Sequence, residues 1–94
     1  MLNEHNFISE SHIKNLMAAS KIQSYTFFGK CTVVAAQLPN GYVIVESSGC
    51  IDPKNYNKEL GKEICLKKIE ERLWQLEGYV GSYEFAEKKT DKKK

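Results

Sequence analysis

The chain has 94 residues, a length that fits one domain with a single hydrophobic core. Hydrophobic residues make up 41% and charged residues 28%, which is ordinary for a globular protein and excludes disorder of the whole chain. The formal net charge is only +2 and several lysines lie in a terminal run, so the sequence lacks the excess of basic residues that is typical of a nucleic-acid-binding domain.

The cysteines and the hydropathy pattern indicate where the protein works. Cys31, Cys50 and Cys65 are an odd number of thiols without paired spacing, which argues against a disulfide framework. No basic segment followed by an apolar run opens the chain, and no stretch approaches the roughly 18 apolar residues that a membrane span needs. We therefore expect a protein of the reducing cytoplasm that does not act at a membrane.

The first half of the chain predicts a short helix followed by three strands. Ser9 can cap a helix over residues 10–20, with Ile8 and Ile13 placed as a hydrophobic staple. Three runs rich in β-branched and aromatic residues then predict strands. These strands cover residues 22–28, 31–38 and 42–47.

A hairpin is predicted between the second and third strands. Asn40-Gly41 suits a two-residue type I′ turn, because both positions of that turn need a positive φ. The face expected to meet the core contains Leu38 opposite Val43, Ala36 opposite Val45, and Val34 opposite Ser47. The other face is too apolar for a solvated surface, so we expect a second layer or a partner chain to cover it. Its residues are Val33, Ala35, Gln37, Tyr42, Ile44 and Glu46.

A long helix is predicted from Lys58 to at least residue 77, with Asn57 as its N-cap. Gly78 and Gly81 each cost about 1 kcal/mol relative to alanine, which predicts a kink or an end near Gly78. Residues 87–94 contain almost no apolar side chains and are expected to form a disordered basic tail behind a single domain of residues 1–86. The apolar stripe of this helix consists of Leu66, Ile69, Leu73, Leu76, Val80 and Tyr83.

These elements predict an α+β fold: an N-terminal helix, a three-stranded antiparallel meander and a long C-terminal helix packed on the sheet. Residues 40–80 also carry ordered anchors that resemble the Gp-forty-nine family of small tailed-phage proteins, also named after gene sixty-six of phage Sf-six. The anchors are Asn40-Gly41-Tyr42, Cys50-Ile51-Asp52-Pro53-x-Asn55-Tyr56, Glu59-x-Gly61 and Leu73-Trp74-x-Leu76-Glu77-Gly78-Tyr79. The family pattern reads Gly-Glu-Ser before the cysteine, where this chain has Glu46-Ser47-Ser48. The resemblance implies a small phage or prophage accessory protein of the host cytoplasm, and it transfers no catalytic residues.

The junction between the third strand and the long helix is a candidate anion site. Serine hydroxyls, asparagine amides and lysines lie close together in sequence there, and a helix N-terminus offers free N–H groups to a phosphate or a carboxylate. The candidate ligand-binding residues are Ser47, Ser48, Asn55, Asn57, Lys58 and Lys62. The alternative is that Asn57 only caps its helix and the serines only shape a turn.

Trp74 indicates a second candidate surface. On a helical wheel it lies about 130° from the centre of the apolar stripe, using 100° per residue, and Leu60 and Ile64 fall nearer to it. This side of the helix needs cover, either from the N-terminal helix or from an oligomer or partner interface. The predicted interface residues are Trp74, Ile64, Ile44 and Tyr42.

Catalytic, cofactor and metal motifs are not visible. Cys50 would need a neighbouring base to act as a nucleophile, and the histidines, His5 and His12, lie near the N-terminus. No cysteine or histidine pair has the spacing of metal ligands, and no phosphate-binding glycine loop occurs. We therefore expect a non-enzymatic protein without cofactor or metal that binds and titrates a host factor, such as a nucleotide-type defence signal, as a homo-oligomer. The alternatives are an inhibitor that masks a host protein and a nucleic-acid-associated protein that uses the basic tail.

Overall fold

The computed structural model describes residues 8–93, and residues 88–93 by their backbone alone. The elements are α1 (Glu10–Ala19), β1 (Lys21–Phe27), β2 (Cys31–Gln37), β3 (Val43–Gly49), a short 3₁₀ turn (Pro53–Asn55) and α2 (Lys58–Lys93). The three strands form one antiparallel sheet in the order β1-β2-β3. The predicted α+β fold, with a helix, a three-stranded meander and a long helix, is confirmed.

The core lies between α2 and one face of the sheet. α2 packs mainly against β2 and β3, and α1 packs against α2. Four buried residues of α2, spaced four apart, follow one row along the helix: Gly61, Cys65, Ile69 and Leu73. The other buried hydrophobic residues are Ile13 of α1 and, from the sheet and its second turn, Val34, Ala36, Leu38 and Ile44.

The opposite side of the sheet, here called the outer sheet face, is not covered by any helix within the described residues. The pleat places every second residue of each strand on this side. Its residues are Lys21, Gln23, Tyr25 and Phe27 of β1, Cys31, Val33, Ala35 and Gln37 of β2, and Val43, Val45, Ser47 and Gly49 of β3.

The hairpin between β2 and β3 differs from the predicted two-residue turn. Gly41 N–H donates to the Leu38 carbonyl at 2.8 Å, and Leu38 N–H donates to the Tyr42 carbonyl at 2.8 Å, so the loop has three residues. Gly41 has a φ of 94° and forms the left-handed bulge position that such loops use. The reason is Pro39: a two-residue loop would pair it with Tyr42 and require a proline N–H, which does not exist.

This loop shifts the register by one residue and reverses the predicted faces of β3. Ala36 pairs with Ile44 and Gln37 pairs with Val43. Ile44 is therefore fully buried in the core, while Val43 and Val45 lie on the outer sheet face. A one-residue change in register always exchanges the two faces of a strand. The prediction that Ile44 belongs to an interface is wrong.

Both helix caps are confirmed. The Ser9 hydroxyl accepts from His12 N–H at 3.1 Å, and Asn57 Oδ1 accepts from Leu60 N–H at 3.0 Å. α2 does not end near Gly78, as its glycines predicted, but continues to Lys93. Tertiary packing outweighs the low helix propensity of glycine here. The prediction that residues 87–94 behave as a disordered tail in solution stays a prediction.

Gly78 lies beside Ile8, which precedes α1. A Cβ atom at Gly78 would lie 3.7 Å from Ile8 Cδ1, which is ordinary van der Waals contact. One turn away, His12 Nε2 lies 3.7 Å from Glu77 Oε2, and neither atom makes a hydrogen bond within the described part of the chain. Ile8 and His12 therefore lie beside the segment of α2 that contains Glu77 and Gly78.

The N-terminal end of α2 is fixed by a very close approach to β2. A Cβ atom at Gly61 would clash with Thr32 Oγ1 and would lie 3.0 Å from Thr32 Cβ. The Thr32 hydroxyl, which is buried, lies 2.6 Å from the Tyr56 hydroxyl, and Thr26 Oγ1 lies 2.8 Å from the same Tyr56 oxygen. This hydroxyl network holds the residues before α2 against the inner side of β1 and β2.

Gly61→Ala is expected to lower the free energy of unfolding by about 1–3 kcal/mol, because the new methyl group has no room beside Thr32. Gly78→Ala is the matched control, since it is also a helical glycine but has ordinary space around its Cβ. The control is expected to raise stability by roughly 0.5–1 kcal/mol. Urea unfolding measures both, and a midpoint for Gly61→Ala that rises as far as that of Gly78→Ala would contradict the close approach.

Tyr56→Phe is expected to cost about 1–3 kcal/mol, because it removes the partner of the buried Thr32 hydroxyl. Tyr79→Phe is the control: Tyr79 is 71% exposed on α2, so a change within about 0.5 kcal/mol is expected. The two variants are compared in the same denaturant titration. Equal stabilities would show that the network does not hold the loop.

Candidate functional site

A groove opens where β3 leads into α2. Its cavity measures about 100 Å³, and three consecutive segments line it: the end of β3, the loop with the 3₁₀ turn, and the first two turns of α2. The lining residues are Ser48, Gly49, Cys50, Asn55, Tyr56, Asn57, Leu60, Gly61 and Ile64.

Local hydrogen bonds shape the loop that forms one wall of the groove. Cys50 N–H donates to the Lys30 carbonyl at 2.9 Å, which ties the loop to the β1–β2 turn. Asp52 Oδ1 accepts from Lys54 N–H at 2.9 Å and caps the 3₁₀ turn, whose proline at the first position fits the required φ. The Asp52 carbonyl also accepts from Asn55 N–H at 2.9 Å. Asn55 is thus held at the rim of the groove by backbone geometry.

The structure brings together half of the predicted ligand-binding residues. Ser48, Asn55 and Asn57 line the groove, whereas Ser47, Lys58 and Lys62 do not. Ser47 lies on the outer sheet face, because the register of β3 directs Ser48 inward instead. The exposed Lys58 and half-buried Lys62 belong to the first turns of α2, close to the groove along the chain but outside its lining.

The predicted interface residues occupy three different places. Ile44 is in the core, and Tyr42 is about half exposed at the β2–β3 turn. Ile64 and Trp74 are partly exposed on α2, with 37% and 36% of their surface accessible. Leu60 is about half exposed on the same side as Ile64, so this part of α2 presents apolar surface away from the sheet.

Sequence reasoning missed the roles of Tyr56 and Gly61 in the groove. Both were noted only as anchors of the family resemblance, in Asn55-Tyr56 and Glu59-x-Gly61. A glycine in the second turn of a helix lowers helix propensity, and this cost is itself a signal that a neighbouring segment comes close. Nothing local in the sequence could have shown that the neighbour is Thr32.

Cys65 and Cys50 lie in different surroundings, and neither has a histidine beside it within residues 8–87. Cys65 is buried in the core and burial raises the pKa of its thiol, so it is held in the neutral, unreactive form. Cys50 lines the groove, but His12 lies beside Glu77, which is about 24 Å further along α2 than Gly61 at 1.5 Å per residue. His5 lies outside the described residues.

Charged side chains join α2 to β3 next to the groove. Arg72 Nη1 lies 3.3 Å from Glu46 Oε2, and Lys68 Nζ donates to the Ser47 carbonyl at 2.8 Å. The charged groups of Arg72 and Lys68 are therefore already paired with groups of β3. Among the described residues, no group of three or more His, Cys, Asp or Glu side chains could hold a metal ion, and no helix could span a membrane.

Comparison with known proteins identifies the family of the chain. No curated protein and no solved structure matches the chain. Residues 4–84, which include the whole sheet, the groove and most of α2, match the profile of the phage protein (N4 Gp49/phage Sf6 gene 66) family. The chain therefore belongs to this family of phage proteins.

Proposed function

We propose that the protein acts by binding rather than by catalysis, and that it titrates a small anionic host molecule, of the nucleotide type used as a defence signal, in the host cytoplasm. The groove between β3 and α2 carries this proposal. It combines hydroxyl, amide and backbone groups from three segments at the start of a long helix.

The polar groups of the groove suit an anion. Within the described residues, no protein group hydrogen-bonds the Ser48 hydroxyl or the Asn55 carboxamide. Asn57 already caps Leu60 N–H, so the N–H groups of Lys58 and Glu59 remain as donors in the first turn. The positive end of the helix dipole lies at the same place, and it favours a phosphate or a carboxylate.

The size of the groove limits what one chain can hold. A cavity of about 100 Å³ is smaller than the roughly 300 Å³ at which sites for drug-sized ligands begin. It accommodates a phosphate group or one part of a nucleotide, and the rest of a larger ligand would extend past Leu60 and Ile64. Lysines outnumber carboxylates in residues 52–62, which adds a weak attraction for an anion.

Masking of a host protein is the second candidate, and the exposed side of α2 favours it. Trp74, Ile64 and Leu60 present apolar surface that the sheet does not cover, and tryptophan is enriched at binding hot spots. A partner held there would be a protein with a complementary apolar pocket. Leu60 and Ile64 also line the groove, but Ser48 and Asn55 are not part of this apolar surface, so variants of these two polar residues separate the candidates.

Asn55→Ala is expected to weaken nucleotide binding about tenfold, which corresponds to roughly 1.4 kcal/mol for a lost hydrogen bond to an anion. Isothermal titration calorimetry with AMP and cyclic di-AMP is the measurement. Asn15→Ala, an exposed asparagine of α1 far from the groove in sequence, is the control and should bind as the wild type does. Absence of nucleotide binding to the wild type, or equal affinity of the two variants, would refute the proposal.

Trp74 is the single tryptophan, so its fluorescence reports directly on the exposed side of α2. If a second copy covers it, dilution should shift its emission to longer wavelength and increase quenching by acrylamide. Leu73→Ala and Trp74→Ala test which of these neighbouring side chains lies in the core of a single chain. Leu73→Ala removes a buried side chain and should lower the free energy of unfolding by about 2–5 kcal/mol, and Trp74→Ala should lower it by less. Emission that does not change with concentration would count against an oligomer contact at Trp74.

A further inference from the structure

Half of the residues on the outer sheet face are apolar, and the face contains almost no charge. Its apolar residues are Tyr25, Phe27, Val33, Ala35, Val43 and Val45, and the four from the edge strands are about half exposed. Lys21, at one corner, is its single formally charged residue, and it contains no carboxylate. An apolar patch of this size is near the upper end of what monomeric proteins leave open to water, and such patches are often functional.

We propose that the outer sheet face packs against the same face of a second copy of the chain, about a two-fold axis that runs along the strands. A basic partner would find no carboxylate on this face with which to form an ion pair. An acidic partner would find only Lys21, at one corner. An uncharged apolar surface is the complementary partner, and a second copy supplies one without like-charge contacts at its centre.

The distribution of large and small residues across the face supports this axis. The register aligns Tyr25 of β1 with Val33 of β2 and Ser47 of β3, and it aligns Phe27 with Cys31 and Gly49. Each of these rows has an aromatic ring at the β1 edge and a small residue at the β3 edge. A two-fold axis along the strands places β1 of one copy over β3 of the other at the same height. The rings of Tyr25 and Phe27 then lie over Ser47 and Gly49 of the second copy.

The area of the face is that of a reversible dimer. Three seven-residue strands at 3.3 Å per residue and 4.8 Å spacing measure roughly 23 by 14 Å, with an accessible surface on the order of 500 Å² once side chains are included. Two copies would bury about 1,000 Å², near the lower limit of specific interfaces. The dimer should therefore dissociate on dilution.

The contact is separate from the groove and from Trp74, and it does not rest on the binding of a nucleotide.

The first experiment measures molar mass by light scattering for the full chain and two lysine variants over a range of micromolar concentrations. Val45→Lys replaces a half-exposed side chain at the face and is expected to reduce the mass by loss of the sheet contact. Ile51→Lys is the matched control, because Ile51 is 98% exposed in the loop after β3, outside the face. It should keep the wild-type mass. Circular dichroism checks that both variants are folded.

Three results would overturn the proposal: a wild type that is monomeric throughout, a folded Val45→Lys variant with the wild-type mass, or equal dissociation of Ile51→Lys. Trp74 emission separates this contact from one on α2, because loss of the sheet contact should leave Trp74 unchanged. Nucleotide binding is measured in parallel and can fail without affecting the mass result, so the two proposals are refuted independently.

A second experiment tests the direction of the axis. Tyr25→Lys should dissociate the dimer, and adding Ser47→Glu should restore it, because the proposed axis brings residue 25 of one copy over residue 47 of the other. Within one chain these positions are separated by the whole width of β2. Restoration of the dimer mass in the double variant supports the arrangement, and a double variant that stays monomeric overturns it.

Discussion

The close approach of α2 to β2 at Gly61 and Thr32 is the contact on which the rest of the structure depends. It brings the helix backbone against a buried threonine whose hydroxyl is held in turn by Tyr56. Because Tyr56 lies directly before α2, this contact sets where the helix begins and how the preceding loop crosses the end of the sheet. The groove is the space left between that loop, β3 and the first turns of α2. A side chain at Gly61 would require α2 or Thr32 to shift, and Gly61 itself lines the groove.

The type and order of the elements could be predicted from local sequence, but the register of β3 could not. Caps and strand composition act within a few residues, and Ser9 and Asn57 cap the helices as predicted. The hairpin depended on two competing local signals. Asn40-Gly41 favours a two-residue turn, whereas Pro39 cannot supply the N–H that closes it. The Asn40-Gly41 signal alone predicts the opposite faces for β3 and places Ile44 at a surface. In the structure Pro39 prevents that turn and Ile44 is fully buried.

The same one-residue difference limits what the sequence can say about the groove. Its location was predictable, because the polar residues between β3 and α2 are consecutive and Asn57 marks a helix start. Which of Ser47 and Ser48 points inward depends on the register, and only Ser48 lines the groove. Lysines of the first helical turns are near the groove in sequence, but their direction depends on the rotation of α2 about its axis. That rotation is set by the row of Gly61, Cys65, Ile69 and Leu73, which the predicted stripe included only in part.

The two exposed apolar surfaces have one physical origin. A three-stranded sheet has two faces, and a chain of this size supplies one long helix, which can cover one of them. Packing α2 along a row of residues spaced four apart leaves Trp74, about 100° from Leu73 around the helix, partly exposed, while no helix covers the outer sheet face. Both surfaces therefore follow from the number of layers rather than from unusual residues. In such a fold a second copy can add the missing layer, and the groove at the end of the sheet keeps its shape because Tyr56 and Gly61 fix it from within one chain.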